Sequence, residues 1–122
     1  MEIIILGAGK PSMGTEPSAL KKIGLKTVAL DWQIDSFNKI KEKKKIIFMG
    51  GYQINKIKNH YSNIYFKKIN KWNVKTILDT FLQLTFKEEN TLITYSDTIF
   101  KKEVYLDILN KKGDAVFVID SQ

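Results

Sequence analysis

The residues best placed to do chemistry lie in Ile3-Ile4-Ile5-Leu6-Gly7-Ala8-Gly9-Lys10-Pro11-Ser12-Met13-Gly14. An apolar, β-branched run stops at two glycines one residue apart. A loop with a lysine, a proline and a further glycine follows. Runs of the first kind form strands buried on both faces of a parallel sheet. Without side chains, the backbone at Gly7 and Gly9 can approach a phosphate closely. A tight turn under a neighbouring helix asks for the same glycines, so both readings stand. The second chemically capable position is Asp97, which closes the apolar stretch Thr91-Leu92-Ile93-Thr94-Tyr95-Ser96. A carboxylate at a strand's carboxyl end sits where α/β sheets place ligands. It can cap the next helix or anchor magnesium alongside substrate phosphates and waters. His60 is the single histidine and cysteine is absent. That excludes thiol chemistry and disulfides, leaves no His/Cys zinc set, and fits a reducing, cytoplasmic compartment.

The bulk properties bound what can position these residues. A chain of 122 residues has room for one domain with a modest core. It holds no apolar run long enough for a transmembrane helix, and Met1-Glu2-Ile3 has none of the features of a signal peptide. The net charge of +7 comes from lysine alone, with no arginine. Arginine is the residue whose planar fork reads bases and phosphates bidentately. The lysines are also spread along the chain, apart from Lys41 and Lys43-Lys44-Lys45, which complement the end of a helix dipole. We therefore expect neither a nucleic-acid nor a membrane partner.

Hydrophobic periodicity predicts the scaffold. Strands are expected at 3–6, 45–49, 63–67, 91–95 and 115–119, with a short extended stretch at 26–30. Ser18 to Ile23 reads as a short helical turn. Asp31 is a candidate N-cap for a helix over 31–43 that carries Ile34, Phe37 and Ile40. Gln53 to Tyr61 and Lys102 to Asn110 read as helices. From Val74, the residues Ile77, Leu78, Phe81, Leu82 and Phe86 form the best amphipathic pattern in the chain. Alternation of this kind predicts an α/β fold: a Rossmann-like, mainly parallel sheet flanked by helices, with right-handed crossovers. The chain stops at Asp120-Ser121-Gln122, just after an apolar strand, which suggests one part of a larger domain.

The loop departs from two familiar phosphate-binding patterns. The dinucleotide fingerprint needs a third glycine where Ser12 stands, and a helix that Pro11 and Pro17 interrupt. Asp31 after Val28-Ala29-Leu30 imitates that fold's ribose-binding acid but lacks the helix between. The Walker loop needs a lysine where Thr15 stands.

The chain instead resembles the nucleoside-triphosphate transferases that make nucleotide-sugars and related activated alcohols, along its whole length. Ile3 to Gly9 is similar to that family's strand and Leu-Ala-Ala-Gly start. Met13-Gly14 and Pro17-Ser18-Ala19-Leu20 resemble the end of its loop and the Pro-Lys-x-Leu after it. Phe48-Met49-Gly50-Gly51-Tyr52 resembles a strand ending in Gly-Tyr. Asn70, Trp72 and Thr76 fall where an Asn and a polar loop precede the next helix. Leu92 to Asp97 resembles the strand ending in the magnesium-binding Gly-Asp. The resemblance implies an N-terminal part of a nucleotidyltransferase domain. A nucleoside monophosphate would pass from a nucleoside triphosphate to a sugar phosphate or small alcohol phosphate, with release of pyrophosphate. It implies nucleotide contacts at Leu6, Gly7, Ala8, Gly9, Gly51 and Asn70, and a Mg2+ cofactor on Asp97. The chain departs from the family at the chemistry. Pro11 replaces a glycine, and the arginine expected between Ser12 and Met13 is missing. Ser18 replaces the acceptor-binding lysine, and no second metal aspartate is present. Lys10 is the candidate to supply the arginine's charge, and Lys21 or Lys22 the lysine's. These departures motivate an alternative: a catalytically impaired nucleotide-binding or regulatory module on the same fold.

Overall fold

The computed structural model describes residues 1–74, 77–86 and 90–119. Thr76 and Asp120-Ser121-Gln122, singled out above, lie outside them. The strands are β1 (Glu2–Gly7), β2 (Lys45–Gly50), β3 (Tyr65–Lys68) and β4 (Thr91–Tyr95). The helices are α1 (Ala29–Asn38), α2 (Ile54–Lys58), α3 (Ile77–Leu82) and α4 (Lys102–Leu109). The strands form one four-stranded sheet in the order β3-β2-β1-β4, and every pairing is parallel. The α/β expectation holds. β1 is central: Ile5 lies between Phe48 and Thr94, and Leu6 between Met49 and Tyr95. β1 has neighbours on both edges and cover on both faces, which suits the apolar run Ile3 to Leu6, all buried.

Alternate residues of β1 feed two cores. Ile3 and Ile5 join Phe48, Leu92 and the helix residues Leu30, Ile34, Phe37, Ile57 and Tyr105. Ile4 and Leu6 point the other way, onto Met49 and Ile69, with Trp72 and Leu84 against them. Thus α1, α2 and α4 share one face, and the connection from β3 to β4 crosses the other. Tyr105 of α4 packs edge-on to Phe37 of α1 at a ring separation of 5.1 Å.

Several local expectations are corrected. The segment Val28-Ala29-Leu30 is not a strand. Val28 only bridges antiparallel to Lys22, and α1 starts at Ala29. Asp31 is therefore not the N-cap residue. It sits inside the first turn and reaches back, its Oδ2 accepting the Val28 N–H at 3.1 Å. Val28 has no side-chain oxygen to return that bond, so only this half of a capping arrangement exists. α1 ends at Asn38 rather than near Lys43.

The pattern after Val74 forms only the six-residue α3, and its apolar side chains stay exposed: Ile77 61 %, Leu78 64 %, Leu82 73 %. The expected strand at 115–119 joins no sheet, and Phe117 and Ile119 are exposed. Chirality explains why it cannot simply extend β4. α1 lies on one face and leads from β1 to β2. α4 lies on the same face but would have to lead the opposite way, to the far side of β4. Such a parallel unit would be left-handed, and about 98 % of crossovers are right-handed.

Candidate functional site

The strand order reverses between β1 and β4. In open α/β sheets ligands bind outside the carboxyl ends of the strands at this switch point. Here it opens into a crevice of about 730 Å3, within the ~300–1,000 Å3 common for small-molecule sites. The loop after β1 forms one wall, the Tyr95-Ser96-Asp97 turn another, and Trp72 and Thr80 close it from the sheet's second face.

The β1 loop is held at several points. The Ser96 N–H donates to the Leu6 carbonyl at 3.0 Å. The hydroxyls of Ser18 and Ser96 are 2.6 Å apart. Tyr52 grips the loop twice: its backbone N–H donates to Ala8 O at 2.8 Å and its hydroxyl to Thr15 O at 2.7 Å. The Tyr52 ring also meets Trp72 edge-on, with centroids 5.5 Å apart. The Glu16–Lys56 ion pair at 3.0 Å is half exposed on both sides, so it adds only about 0–1 kcal/mol. Gly14, at φ +73°, takes a left-handed conformation that suits glycine.

The glycines divide by role. A Cβ on Gly7 would lie 2.5 Å from Phe48 Cζ and 2.8 Å from Ser96 Oγ, so Gly7 lets β1 approach its neighbours. A Cβ on Gly51 would lie 2.4 Å from Trp72 Cγ, and Gly51 is buried beneath that ring. Gly9 differs: a Cβ there would meet nothing within 4 Å. Protein packing does not demand a glycine at Gly9, and its backbone borders open space in the crevice.

Asp97 does not cap α4, whose N-cap is Lys101. Its carboxylate is exposed beside the crevice and accepts the Thr98 hydroxyl at 3.0 Å. The turn that carries it is fixed from beneath. Gln33, fully buried in α1, donates its carboxamide protons to Tyr95 O at 2.7 Å and Thr98 O at 2.9 Å. The Trp32 indole N–H donates to Phe100 O at 2.7 Å, and Lys102 Nζ stands 5.2 Å from the Trp32 ring centroid.

Of the residues singled out in the sequence, the fold brings Leu6, Gly7, Ala8, Gly9, Lys10, Lys21 and Asp97 to the one crevice. Lys22 borders a neighbouring cavity instead. Gly51 is packed under Trp72, and Asn70 is exposed outside the lining. Sequence reasoning missed Gln33, Tyr52 and Ser96. Gln33 left a signal, a polar residue one turn from Phe37 on the buried face of α1. Tyr52 and Ser96 left none, because their partners are distant in sequence.

Among the described residues no cluster of three or more His, Cys, Asp or Glu side chains can hold a metal. Asp97 therefore fits magnesium only as one carboxylate on an ion otherwise held by phosphates and water. Among the described residues no helix is long and apolar enough to cross a membrane. Compared with protein-family models and with curated proteins, the chain matches none.

Proposed function

We propose that the crevice binds a nucleoside triphosphate with magnesium, and that the chain transfers its nucleoside monophosphate to a small phosphate-bearing acceptor. The observation that carries this reading is the meeting of the glycine loop after β1 and Asp97 after β4 at one switch-point crevice. The resemblance to nucleoside-triphosphate transferases supports the reaction type.

In this reading the open backbone around Gly9 receives the phosphate chain. Lys10 and Lys21, both on the crevice wall, neutralise its charge. Asp97 holds the magnesium that screens the phosphates. An acceptor phosphate oxygen attacks the α-phosphorus, and the bond to the bridging oxygen breaks so that pyrophosphate leaves. No proton transfer to carbon or redox step is needed, so positioning and electrostatics supply the catalysis. Gln33 and Tyr52 serve by holding the Asp97 turn and the loop still.

A second reading is a nucleotide-binding module without transfer. The placement of Lys22 outside the crevice favours it, because Lys21 is then the one remaining candidate for the acceptor lysine. Calorimetric titration with each nucleoside triphosphate and magnesium, combined with pyrophosphate detection, tests both. Binding with pyrophosphate release supports transfer, and binding alone supports the module. Absence of binding by every triphosphate removes both.

A further inference from the structure

The two edges of the sheet are finished differently. β3, at one edge, carries Lys67 and Lys68, and Lys45 Nζ stands 4.4 Å from the Tyr65 ring centroid. Charges of this kind keep other strands off an edge. β4, at the opposite edge, reads Thr91-Leu92-Ile93-Thr94-Tyr95 and has no charged residue. Its register is fixed at both ends: the Glu2 N–H donates to Asn90 O at 3.2 Å, and the Ser96 N–H to Leu6 O at 3.0 Å. Successive residues of a strand turn their backbone groups to opposite edges. Leu92 and Thr94 therefore face β1, while Thr91, Ile93 and Tyr95 face outward. Gln33 and Thr98 occupy the Tyr95 carbonyl. The N–H and C=O of Ile93 meet no partner among the described residues. The chain also carries a segment with the composition of a strand and no sheet to join. Ala115-Val116-Phe117-Val118-Ile119 is apolar throughout, and Phe117 and Ile119 are 81 % and 82 % exposed.

We propose that residues 115–119 of one chain pair with the outer edge of β4 in a second copy, and that the exchange is reciprocal, giving a closed two-fold dimer. Donor and edge match, since 115–119 is as long as the 5 residues of β4 and equally free of charge. Handedness bars the segment from that edge as a parallel strand of its own chain. A strand supplied by another copy involves no such crossover. Residues 110–114, which follow α4, can span about 17 Å, several strand spacings of about 4.8 Å, so the segment can leave its own sheet. A second copy brings both halves, because each chain offers this edge and this segment. Two exchanges use up both, and the assembly closes instead of growing. The proposal stands whether or not the crevice binds a nucleotide.

Sedimentation equilibrium and hydrogen exchange on the full chain test it. The solution mass is expected at twice the 14.1 kDa of one chain. In that dimer the Ile93 amide, open at the edge of a single chain, should exchange as slowly as the amides of β1. A double variant, Phe117→Pro with Val118→Pro, puts a proline on each edge of the donated segment, so one of the two always strikes the ladder. It should raise the dissociation constant at least about 100-fold, the order of a proline's cost in regular structure. The separated chains should keep their circular dichroism, because the segment belongs to no sheet within one chain. Leu82→Asp, on the exposed face of α3, should leave the dimer intact. A native mass of one chain at millimolar concentration overturns the proposal, as does a dimer with a fast-exchanging Ile93 amide. It is equally overturned if the masses run on beyond the dimer, or if Leu82→Asp rather than the proline pair separates the copies.

Discussion

The carboxamide of Gln33 lies 2.7 Å from the Tyr95 carbonyl, so a side chain in the middle of α1 fixes the turn that carries Asp97. The same nitrogen reaches Thr98 O, on the far side of Asp97 in sequence. Gln33→Leu keeps most of the volume and removes both donors. Each hydrogen bond of this kind contributes about 0.5–1.5 kcal/mol, and chemical denaturation should show a loss of about 1–3 kcal/mol for the two. The variant should also lose affinity for magnesium–nucleotide more than for nucleotide alone, because the Asp97 turn is what it releases.

Gly7 and Gly9 give opposite expectations. Gly7→Ala places a methyl 2.5 Å from Phe48, and overpacking of this kind costs about 1–3 kcal/mol. Gly9→Ala meets nothing within 4 Å and should leave the melting temperature nearly unchanged. If the phosphate chain lies against Gly9, the same variant loses nucleotide affinity in calorimetry. A Gly9→Ala protein that binds nucleotide as tightly as the native chain would remove Gly9 from the site.

Asp97 has one hydrogen-bond partner among the described residues, the neighbouring Thr98 hydroxyl. Asp97→Asn should therefore alter stability by no more than about 0.5 kcal/mol, as for other surface substitutions. Its effect should appear in the metal dependence. Nucleotide affinity in magnesium should fall to the value measured with a chelator, and any pyrophosphate release should stop.

Tyr61 predicts an alkaline limit to stability. Burial first, then the hydrogen bond and charge of Asp31, then the charge of Asp35, hold its pKa above the ordinary 10.0. Folding thus favours the protonated hydroxyl. This contribution is whole below pH 10, where the unfolded tyrosine is protonated too, and is lost as the pH rises from there through the folded value. Tyr61→Phe should cost about 1 kcal/mol near neutrality through the lost bond to Asp31. It should also flatten the alkaline decline of the melting temperature. An unchanged alkaline slope would show that Tyr61 does not set it.

Local pattern determined which segments become strands and helices where the signal was strong. Ile3 to Leu6 announced a strand buried on both faces, since the run is short, β-branched and closed by glycine, as a central parallel strand requires. The glycine loop after it was legible for the same reason: a buried strand must end somewhere, and here it ends in residues that leave the backbone bare. The tertiary structure alone decided which of those residues share a site. The β3-β2-β1-β4 order brings residues 7–10 beside Asp97, a meeting no local rule contains. It separated Gly7, needed for packing against Phe48, from Gly9, which faces open space. It placed Lys21 on the wall shared by the crevice and its neighbouring cavity, and Lys22 beside that neighbouring cavity alone. Periodicity marked α3 as amphipathic but could not say what its apolar face would meet, and that face is exposed. The stretch 115–119 has the composition of a strand, yet strand pairing depends on a partner edge and on crossover handedness. Those are properties of the whole sheet.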